Sequence, residues 1–347
     1  MTKPMENGAA GMRQPRWDQL SLRHVYEAAG RIAPLVRRTP FVEAPLLGNR
    51  VRLKLESLQN TGAFKVRGAS NRILSLPEDI RKRGVITFST GNHGKAVAYV
   101  SRYAGIPAVV CMSEHVPAYR AEAIRALGAE VVVYGHSQDE AEGEYYRLME
   151  ERNLAPVVPF DDPWVVAGQG TIALEMLADV PDLDTLLVPL SGGGLLAGIA
   201  MTAKLINPAI RIVGISISQS PAMLQSLKAG KPVAVPEKDT LADSLLGGIG
   251  VRNDYTLPLI QKYVDEHVLI DEPEIERAMY YALHRHSLVI EGSAAVGIAA
   301  LQTGKVAVKE MEKTGVVVSG SSVDLTQYLS VVQNEHTKGG DDGTSRS

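Results

Sequence analysis

The sequence contains one cysteine, Cys111, among its 347 residues. A single cysteine excludes an internal disulfide and a zinc site built from several thiolates, and it is typical of proteins from reducing compartments. No apolar run reaches the ~18 residues of a membrane-spanning helix. Residues 1–16 are polar and lack the apolar core of a secretory signal. These absences predict a cytoplasmic protein that makes no contact with a membrane.

Strong charge of either sign is also absent. The 36 Lys and Arg residues nearly balance the 39 Asp and Glu residues, which gives a formal net charge of -3. No basic block of the kind that binds nucleic acid stands out, so we predict no nucleic-acid partner. His284 and His286 are two residues apart and cannot share a helix face, and no H-E-x-x-H motif occurs. We therefore predict no metal site.

The chain has an ordinary globular composition, with 45% hydrophobic and 22% charged residues, and its length suggests roughly two domains. From residue 84 onward, short β-branched runs alternate with helix-length stretches. The predicted strands cover residues 84–88, 108–111, 130–134, 185–190, 211–215 and 315–318. This alternation predicts an α/β fold of two open twisted sheet domains, with helices on both faces and a ligand site in the cleft between the domains.

Residues 62–68, GAFKVRG, fit neither an amphipathic helix nor an alternating strand. They place Lys65 next to an aromatic residue and bracket it with glycines. A lysine in a short, glycine-bracketed turn of this kind is positioned for chemistry rather than for packing.

Residues 191–198, SGGGLLAG, follow an apolar strand and open a helix. Converging backbone N–H groups and the positive end of a helix make such a loop a binding site for phosphate. The spacing also fits a loose dinucleotide fingerprint, but the acid expected about 20 residues later is missing from residues 214–218. A monophosphate is therefore favoured over NAD, and glycines used only for close packing are the remaining alternative.

Two other strand ends carry polar residues. Residues 89–93, STGNH, form a strand-to-helix turn whose amides and hydroxyls suit a carboxylate. A nucleotide P-loop is excluded, because Ser89 stands where its first glycine belongs and Ala96 stands where Ser or Thr is required. Ser319 ends the last strong strand run, and no G-x-S-x-G nucleophile elbow lies at a strand end.

These pieces point together to one cofactor. A lysine that can form an imine, combined with a phosphate site, a carboxylate-binding turn and a serine at a strand end, favours pyridoxal 5'-phosphate. This cofactor is the electron sink for amino-acid carbanions.

Five separated segments resemble, in order, those of fold-type II pyridoxal-phosphate enzymes of the serine/threonine dehydratase and serine racemase group. They are residues 61–69 (TGAFKVRGA), 89–94 (STGNHG), 168–171 (GQGT), 191–195 (SGGGL) and 291–294 (EGSA). The resemblance covers roughly residues 25–329. Within that group the chain is most similar to the hydroxyectoine utilisation dehydratases, at residues 110–113 (VCMS), 135–141 (GHSQDEA) and 160–163 (FDDP).

The resemblance implies a role for each matching residue. Lys65 would be the Schiff-base lysine and the acid/base at Cα, and Thr90 would stand opposite it, where serine racemases have a second proton donor. The expected cofactor-binding residues are Lys65, Phe64, Asn92, Gly192, Gly193, Gly194, Leu195 and Ser319, with Asn92 on the 3-hydroxyl, Ser319 at the pyridine nitrogen and the glycine loop on the phosphate. The expected substrate-carboxylate residues are Ser89, Thr90, Gly91, Asn92 and His93.

Some positions depart from the family pattern or have no assigned role. Glu291 is a nearby carboxylate whose role stays open, and Ser322 stands where the family commonly has Asn. The stretch matching the metal carboxylates of serine racemases, residues 216–224, contains no acid. That loss again predicts no metal.

The implied architecture is tryptophan synthase β-like. A large pyridoxal-phosphate domain would comprise residues 1–83 and 156–335, a small α/β domain residues 84–155, and a disordered tail residues 336–347. The implied partners are a small amino-acid substrate and a second copy of the chain in a homodimer.

The implied reaction is β-elimination of water from a 3-hydroxy amino acid. A hydroxyectoine-derived 3-hydroxy-diaminobutyrate is the expected substrate. L-Threonine or L-serine is the first alternative, and β-replacement or a serine racemase-like activity is the second.

Overall fold

The computed structural model describes residues 14–89, 91–136 and 138–340. No helix among these residues is long and apolar enough to cross a membrane. The described residues contain ten strands: β1 (Phe41–Glu43), β2 (Val51–Leu55), β3 (Val85–Phe88), β4 (Ala108–Met112), β5 (Glu130–Val133), β6 (Ala155–Pro156), β7 (Thr185–Pro189), β8 (Arg211–Ile217), β9 (Glu266–Ile270) and β10 (Thr314–Val318).

Thirteen α-helices lie in the same described part of the chain. They are α1 (Leu22–Ile32), α2 (Lys65–Leu74), α3 (Glu78–Arg83), α4 (Asn92–Ala104), α5 (Ala118–Arg125), α6 (Gln138–Glu151), α7 (Pro163–Asp179), α8 (Gly194–Ile206), α9 (Ala222–Ala229), α10 (Thr256–Tyr263), α11 (Glu272–His286), α12 (Gly292–Gln302) and α13 (Leu325–Gly340). Short 3-10 helices cover Trp17–Gln19, Glu56–Leu58 and Asp243–Leu245.

The strands form two sheets. The larger has the order β1-β2-β10-β7-β8-β9 and the smaller the order β5-β4-β3-β6. All neighbouring pairs are parallel except β1 and β2. The predicted fold class, two open α/β sheets, is confirmed, and the predicted strand runs coincide with strands of the structure to within one or two residues.

Alternate residues of each central strand pack into different hydrophobic clusters. Both faces of these strands are therefore buried, and their sequences are continuous apolar runs. In β7, Leu186 and Val188 pack into one cluster and Leu187 packs into another. In β4, Val110 faces helices α4 and α5, whereas Val109 and Cys111 face helix α6. Side chains alternate across a strand, so helices cover both faces of both sheets. Cys111 is a buried filler, as its apolar neighbours predicted.

Helix α2 lies between the two sheets. Its residues Val66, Ala69 and Ile73 belong to the same core cluster as Val97 and Val110 of the smaller α/β unit. Its opposite side meets α7, because a Cβ on Gly68 would lie 2.8 Å from Val165 Cγ1. The helix that begins with Lys65 is therefore packed from both sides.

The last helix extends into the segment that was expected to be disordered. Helix α13 ends at Gly340, so residues 336–340 are helical, and residues 341–347 lie outside the described residues. The helix packs on α11, with Val331 and Glu335 buried and the Tyr280 hydroxyl 3.3 Å from His336 Nδ1. The disorder expected for residues 336–347 was based on their polar composition, which carries no information about packing against α11.

A fully buried guanidinium fixes α2 to its neighbours. Arg67 Nε and Nη2 each donate to Glu56 at 2.8 Å, and Nη1 donates to Glu175 at 2.7 Å and to the Thr171 hydroxyl at 3.1 Å. Lys54 forms a second ion pair with Glu175. Arg67 and Glu56 have no exposed side-chain area. The charge cluster thus joins β2, α2 and α7, and each buried charge has a partner of opposite sign.

We expect Arg67→Met to lower the free energy of unfolding by about 3–5 kcal/mol, because Glu56 would stay buried without its partner. Denaturant titration followed by circular dichroism measures this change. The matched control is Arg152→Met, which removes an exposed ion pair with Glu130 and should cost less than about 1 kcal/mol. Equal effects of the two substitutions would contradict the importance given to the buried cluster.

Candidate active site

Lys65 is the first residue of α2, and its amine is held by a backbone carbonyl. Lys65 Nζ donates to the Pro159 carbonyl oxygen at 2.9 Å and lies 5.2 Å from the centroid of the Phe64 ring. The role of Phe64 beside the cofactor ring, which the resemblance implies, stays a prediction.

The end of β10 runs antiparallel to the turn that carries the lysine. Phe64 N–H donates to the Ser319 carbonyl at 3.0 Å, and Ser321 N–H donates to the Gly62 carbonyl at 2.9 Å. Ala63 and Gly320 form the bridge between these two bonds. Ser319 is buried and adjacent to the lysine turn, so the structure brings together two predicted site residues that lie far apart in the sequence.

Burial lowers the pKa of Lys65 to about 8 from its ordinary value of 10.5, and the negative charge of Glu291 opposes this shift. A lowered pKa makes the neutral, nucleophilic amine available near physiological pH. This property is expected of a lysine that forms an imine.

The glycine loop, residues 191–195, has no room for a Cβ at its three glycines. A Cβ on Gly192 would lie 2.3 Å from the Phe160 ring, and one on Gly193 would lie 2.6 Å from Ile260 Cδ1. Gly193 also has a φ of +91°, which favours glycine. Helix α8 begins at Gly194, so its first N–H groups have no intrahelical acceptor. The loop fits a phosphate, because bare backbone amides and a helix N-terminus converge there.

Two residues that the sequence reasoning did not single out support this loop. The Thr256 hydroxyl donates to the Gly192 carbonyl at 2.8 Å. The Asp161 carboxylate accepts N–H bonds from Asp254 at 2.8 Å, Tyr255 at 2.9 Å and Thr256 at 2.8 Å. Burial raises the pKa of Asp161, while those three bonds act in the opposite direction. Residues 160–163 had been noted only for their resemblance to relatives, and no local pattern revealed this support.

Residues 89–93 follow strand β3 and open helix α4. Gly91 N–H donates to the Ser89 hydroxyl at 3.4 Å, and Asn92 is the first residue of the helix. Thr90 lies outside the described residues. The first N–H groups of α4 are free of intrahelical partners, which is the feature that predicted a carboxylate site.

His93 has an imidazole that stays neutral. Its Nε2 lies 2.9 Å from the Val157 carbonyl, and burial, together with the charge of Lys65, lowers its pKa to about 3. Because a carbonyl only accepts, Nε2 carries the proton, and the buried Nδ1 is an acceptor without a partner among the described residues. The imidazole therefore has no N–H left to offer a carboxylate, and only the backbone amide of His93 can fill the predicted role.

Asn92 connects the small α/β unit to Glu291. Its Nδ2 lies 3.1 Å from Oε1 and 3.0 Å from Oε2 of Glu291, and Ser322 donates its hydroxyl to Asn92 Oδ1. Ser322 N–H also donates to Glu291 Oε2 at 3.0 Å. Burial raises the pKa of Glu291 to about 7, and the bond from Asn92 opposes the shift. Glu291 and Ser322, whose roles had been left open, thus fix the position of the Asn92 amide.

Residues 89–93, the glycine loop and Ser319 follow the carboxyl ends of β3, β7 and β10, where open α/β sheets bind ligands, and the turn that carries Lys65 pairs with Ser319. Lys65, Phe64 and Ser319 form one group, and Asn92, His93 and Glu291 form a second. The residues would hold pyridoxal phosphate with the Lys65 amine, the amides of Gly192, Gly193, Gly194 and Leu195, the Asn92 amide and the Ser319 hydroxyl. The described residues contain no group of three His, Cys, Asp or Glu side chains that could hold a metal ion.

Comparison with known proteins identifies this arrangement. Residues 32–320 match the family model described as pyridoxal-phosphate dependent enzyme. The chain belongs to this family. It is a pyridoxal-phosphate-dependent enzyme, and its relatives include L-threonine ammonia-lyases.

Three of the similar proteins show the extent of the match. The L-threonine ammonia-lyase of Geobacter sulfurreducens is 42% identical over 315 residues, which is 89% of this chain and 77% of the relative. The serine racemase of Oryza sativa subsp. indica is 37% identical over 309 residues, which is 87% of this chain and 90% of the relative. The structure of the processed form of threonine deaminase isoform 2 from Solanum lycopersicum superposes with a TM-score of 0.84 at 30% identity, covering 96% of this chain and 98% of that one.

Gly193→Ala should raise the dissociation constant for pyridoxal phosphate by about tenfold or more, because a left-handed residue with a Cβ is strained by about 1–2 kcal/mol and Ile260 blocks that Cβ. Absorbance titration of cofactor-free protein measures the constant. Gly230→Ala is the matched control, since Gly230 also has a positive φ, +69°, but its Cβ would meet nothing within 4 Å. An unchanged constant in Gly193→Ala would contradict the phosphate assignment.

The reactivity of Lys65 should depend on pH with a midpoint near 8. Only the neutral amine attacks a carbonyl, so reductive methylation of Lys65 in cofactor-free protein should accelerate as pH rises through that value. Peptide mass spectrometry reads the modification, and Lys65→Ala identifies the Lys65 peptide. A midpoint at pH 10 or above would show that burial does not activate this amine.

Proposed function

We propose that the protein removes water from a 3-hydroxy amino acid and releases a 2-oxo acid and ammonia. The observation that supports this most directly is the position of Lys65. Its amine has a lowered pKa, the turn that carries it pairs with Ser319 just after β10, and the glycine loop follows the neighbouring strand β7.

Bound pyridoxal phosphate would supply the electron sink for the charge left at Cα. The backbone amides of residues 192–195 would bind and orient the phosphate, and Phe160 and Thr256 would keep their loop in place. The amides at the start of α4 would hold the substrate carboxylate and so orient the Cα–H bond toward Lys65. The Lys65 amine would accept the α-proton at Nζ and give it to the departing hydroxyl, so that the Cβ–O bond breaks and water leaves. Hydrolysis of the enamine product then gives the 2-oxo acid and ammonia.

Ser319 would favour elimination over transamination. A neutral hydroxyl next to the pyridine nitrogen does not stabilise a proton there as a carboxylate would. The electron sink is then weaker, and a carbanion at Cα has a shorter lifetime. Prompt loss of a leaving group at Cβ suits such a site.

For the substrate we propose a hydroxyectoine-derived 3-hydroxy-2,4-diaminobutyrate. The resemblance at residues 110–113, 135–141 and 160–163 supports this choice. L-Threonine or L-serine is the competing substrate, which the 42% identity to an L-threonine ammonia-lyase supports. A serine racemase-like side activity is a further candidate, because a serine racemase is 37% identical to this chain.

We also propose that the protein acts in the cytoplasm, as its single cysteine and its polar first residues predicted, and that it forms a homodimer, as the family resemblance implies. Size-exclusion chromatography coupled to light scattering would test the dimer, and a mass equal to one chain would contradict it.

Lys65→Ala should abolish both the visible absorbance of the bound cofactor and all release of 2-oxo acid, because the amine is required for the covalent bond and for proton removal. Lys82→Ala, which removes an exposed lysine paired with Glu78, is the control and should keep both properties. Persistence of the absorbance in Lys65→Ala would contradict the assignment of this lysine.

The substrate is decided by comparing 2-oxo acid release from 3-hydroxy-2,4-diaminobutyrate, its acetyl derivatives, L-threonine and L-serine. We expect the highest kcat/KM for a diaminobutyrate. Equal or faster turnover of threonine would assign the protein to the threonine dehydratases, and formation of D-serine from L-serine would reveal racemisation. Sulfide-dependent product from O-acetylserine would indicate β-replacement instead.

A further inference from the structure

We propose that Arg120 and Asp243 form an ion pair that closes the cleft between the two α/β units and positions Asn92 and Glu291 for substrate binding. They would be positioning residues, since neither belongs to the groups assigned to cofactor or substrate. Only the expected change in KM rests on the proposed function.

The ion pair crosses the cleft. Arg120 lies in α5, which packs against the smaller sheet, and Asp243 begins the 3-10 helix Asp243–Leu245, which packs against the larger sheet. Arg120 Nη2 donates to Asp243 Oδ2 at 2.7 Å. The side chains are 24% and 41% exposed, so the pair lies at the rim of the cleft rather than in the core.

A second connection crosses the same cleft at greater depth. Asn92, at the start of α4, donates to Glu291, which precedes α12. Both residues are buried, with 8% and 4% of their surface exposed. The outer pair therefore covers a buried contact between the same two parts of the molecule.

The two connections are linked within each unit. On the large side, a Cβ on Gly292 would lie 2.3 Å from the Leu241 carbonyl oxygen, so the segment that carries Asp243 is packed on the residue that follows Glu291. On the small side, a Cβ on Gly94 would lie 3.2 Å from Ile124 Cδ1, so the first turn of α4 is packed on α5. Movement of Arg120 relative to Asp243 must therefore move Asn92 relative to Glu291.

The charges at the rim also act on Glu291. Asp243 raises and Arg120 lowers the pKa of the Glu291 carboxyl, although burial is the largest cause of its shift. This electrostatic effect is expected only if the outer pair and the inner contact are close in space.

Loss of the outer pair should leave Lys65 and the glycine loop in place, because Phe160 and Thr256 support that loop on the large side, and should disturb only the proposed contact of Asn92 with the cofactor. The α4 amides assigned to the substrate carboxylate belong to the small side, so they should be displaced when the cleft opens. We therefore expect substrate binding to weaken more than cofactor binding.

The test uses the holoenzyme and four variants: Arg120→Met, Asp243→Asn, the exchanged pair Arg120→Asp with Asp243→Arg, and the control Arg152→Met. The control removes an ion pair with Glu130 that lies within the small unit. Cysteines introduced by Tyr103→Cys and Met311→Cys, at exposed positions on opposite units, carry nitroxide labels. Double electron–electron resonance measures the distance between the two labels and so reports the width of the cleft. Cys111 should not take up label, because it is buried and burial raises its thiol pKa to about 11.

We expect a single label-to-label distance in the parent protein and an added longer distance in each single variant. The KM for the best 3-hydroxy amino acid should rise about fivefold, which corresponds to the upper range for a partly exposed ion pair. The dissociation constant of pyridoxal phosphate should rise by a smaller factor than the KM, because Lys65 and the glycine loop stay in place. The exchanged pair should restore both the distance and the KM, and Arg152→Met should match the parent.

Unchanged distances in both single variants, or an exchanged pair that fails to restore them, would overturn the proposal. If no 3-hydroxy amino acid is turned over, the distances still test the ion pair, so failure of the proposed function is distinguishable from failure of this inference.

Discussion

The buried guanidinium of Arg67 is the contact on which the position of Lys65 depends. Arg67 lies two residues after the lysine in α2 and binds Glu56 after β2 and Glu175 in α7. Such a charge is tolerated in the interior only when every donor has an acceptor, so the position of α2 relative to both neighbours is narrowly defined. The first turn of this helix carries Lys65, so the position of the helix also restricts the position of the amine. A reactive group held this way loses little free energy when it is oriented for reaction.

A second constraint comes from residues 157–162, where the chain crosses from the smaller sheet to the larger. The Val157 carbonyl binds His93, and the Pro159 carbonyl binds Lys65. Phe160 packs under the glycine loop, and Asp161 orders the start of α10. One short connection thus touches the helix start of the small unit, the reactive lysine and the phosphate loop. A displacement of this connection would disturb all three. This explains why a segment without catalytic side chains is held by so many hydrogen bonds and packing contacts.

The sequence revealed the parts of the site whose chemistry is local. Lys65 between glycines, and the glycine loop between a strand and a helix, carry their signal in neighbouring residues, and the alternation of strand and helix predicted the α/β class. Pairings between distant segments could not be predicted in this way. Glu291 bonds to Asn92 and Ser322, and nothing near Glu291 in the sequence indicates a buried carboxylate. Arg67 is similar, because a charged residue in a sequence normally indicates an exposed helix face.

Lys65 and Glu291 show how one environment shifts an amine and a carboxyl in opposite directions. Burial lowers the pKa of Lys65 to about 8 and raises that of Glu291 to about 7, because a site removed from water disfavours both charged forms. The attraction between the two groups limits the shift of the lysine, so its amine is neither permanently charged nor unable to bind a proton. Backbone amides, rather than cationic side chains, line the glycine loop that we propose for the phosphate, and they add no repulsion toward a protonated lysine. The site can therefore receive a proton on Lys65 and release it again near neutral pH, which is the property that removal of an α-proton requires.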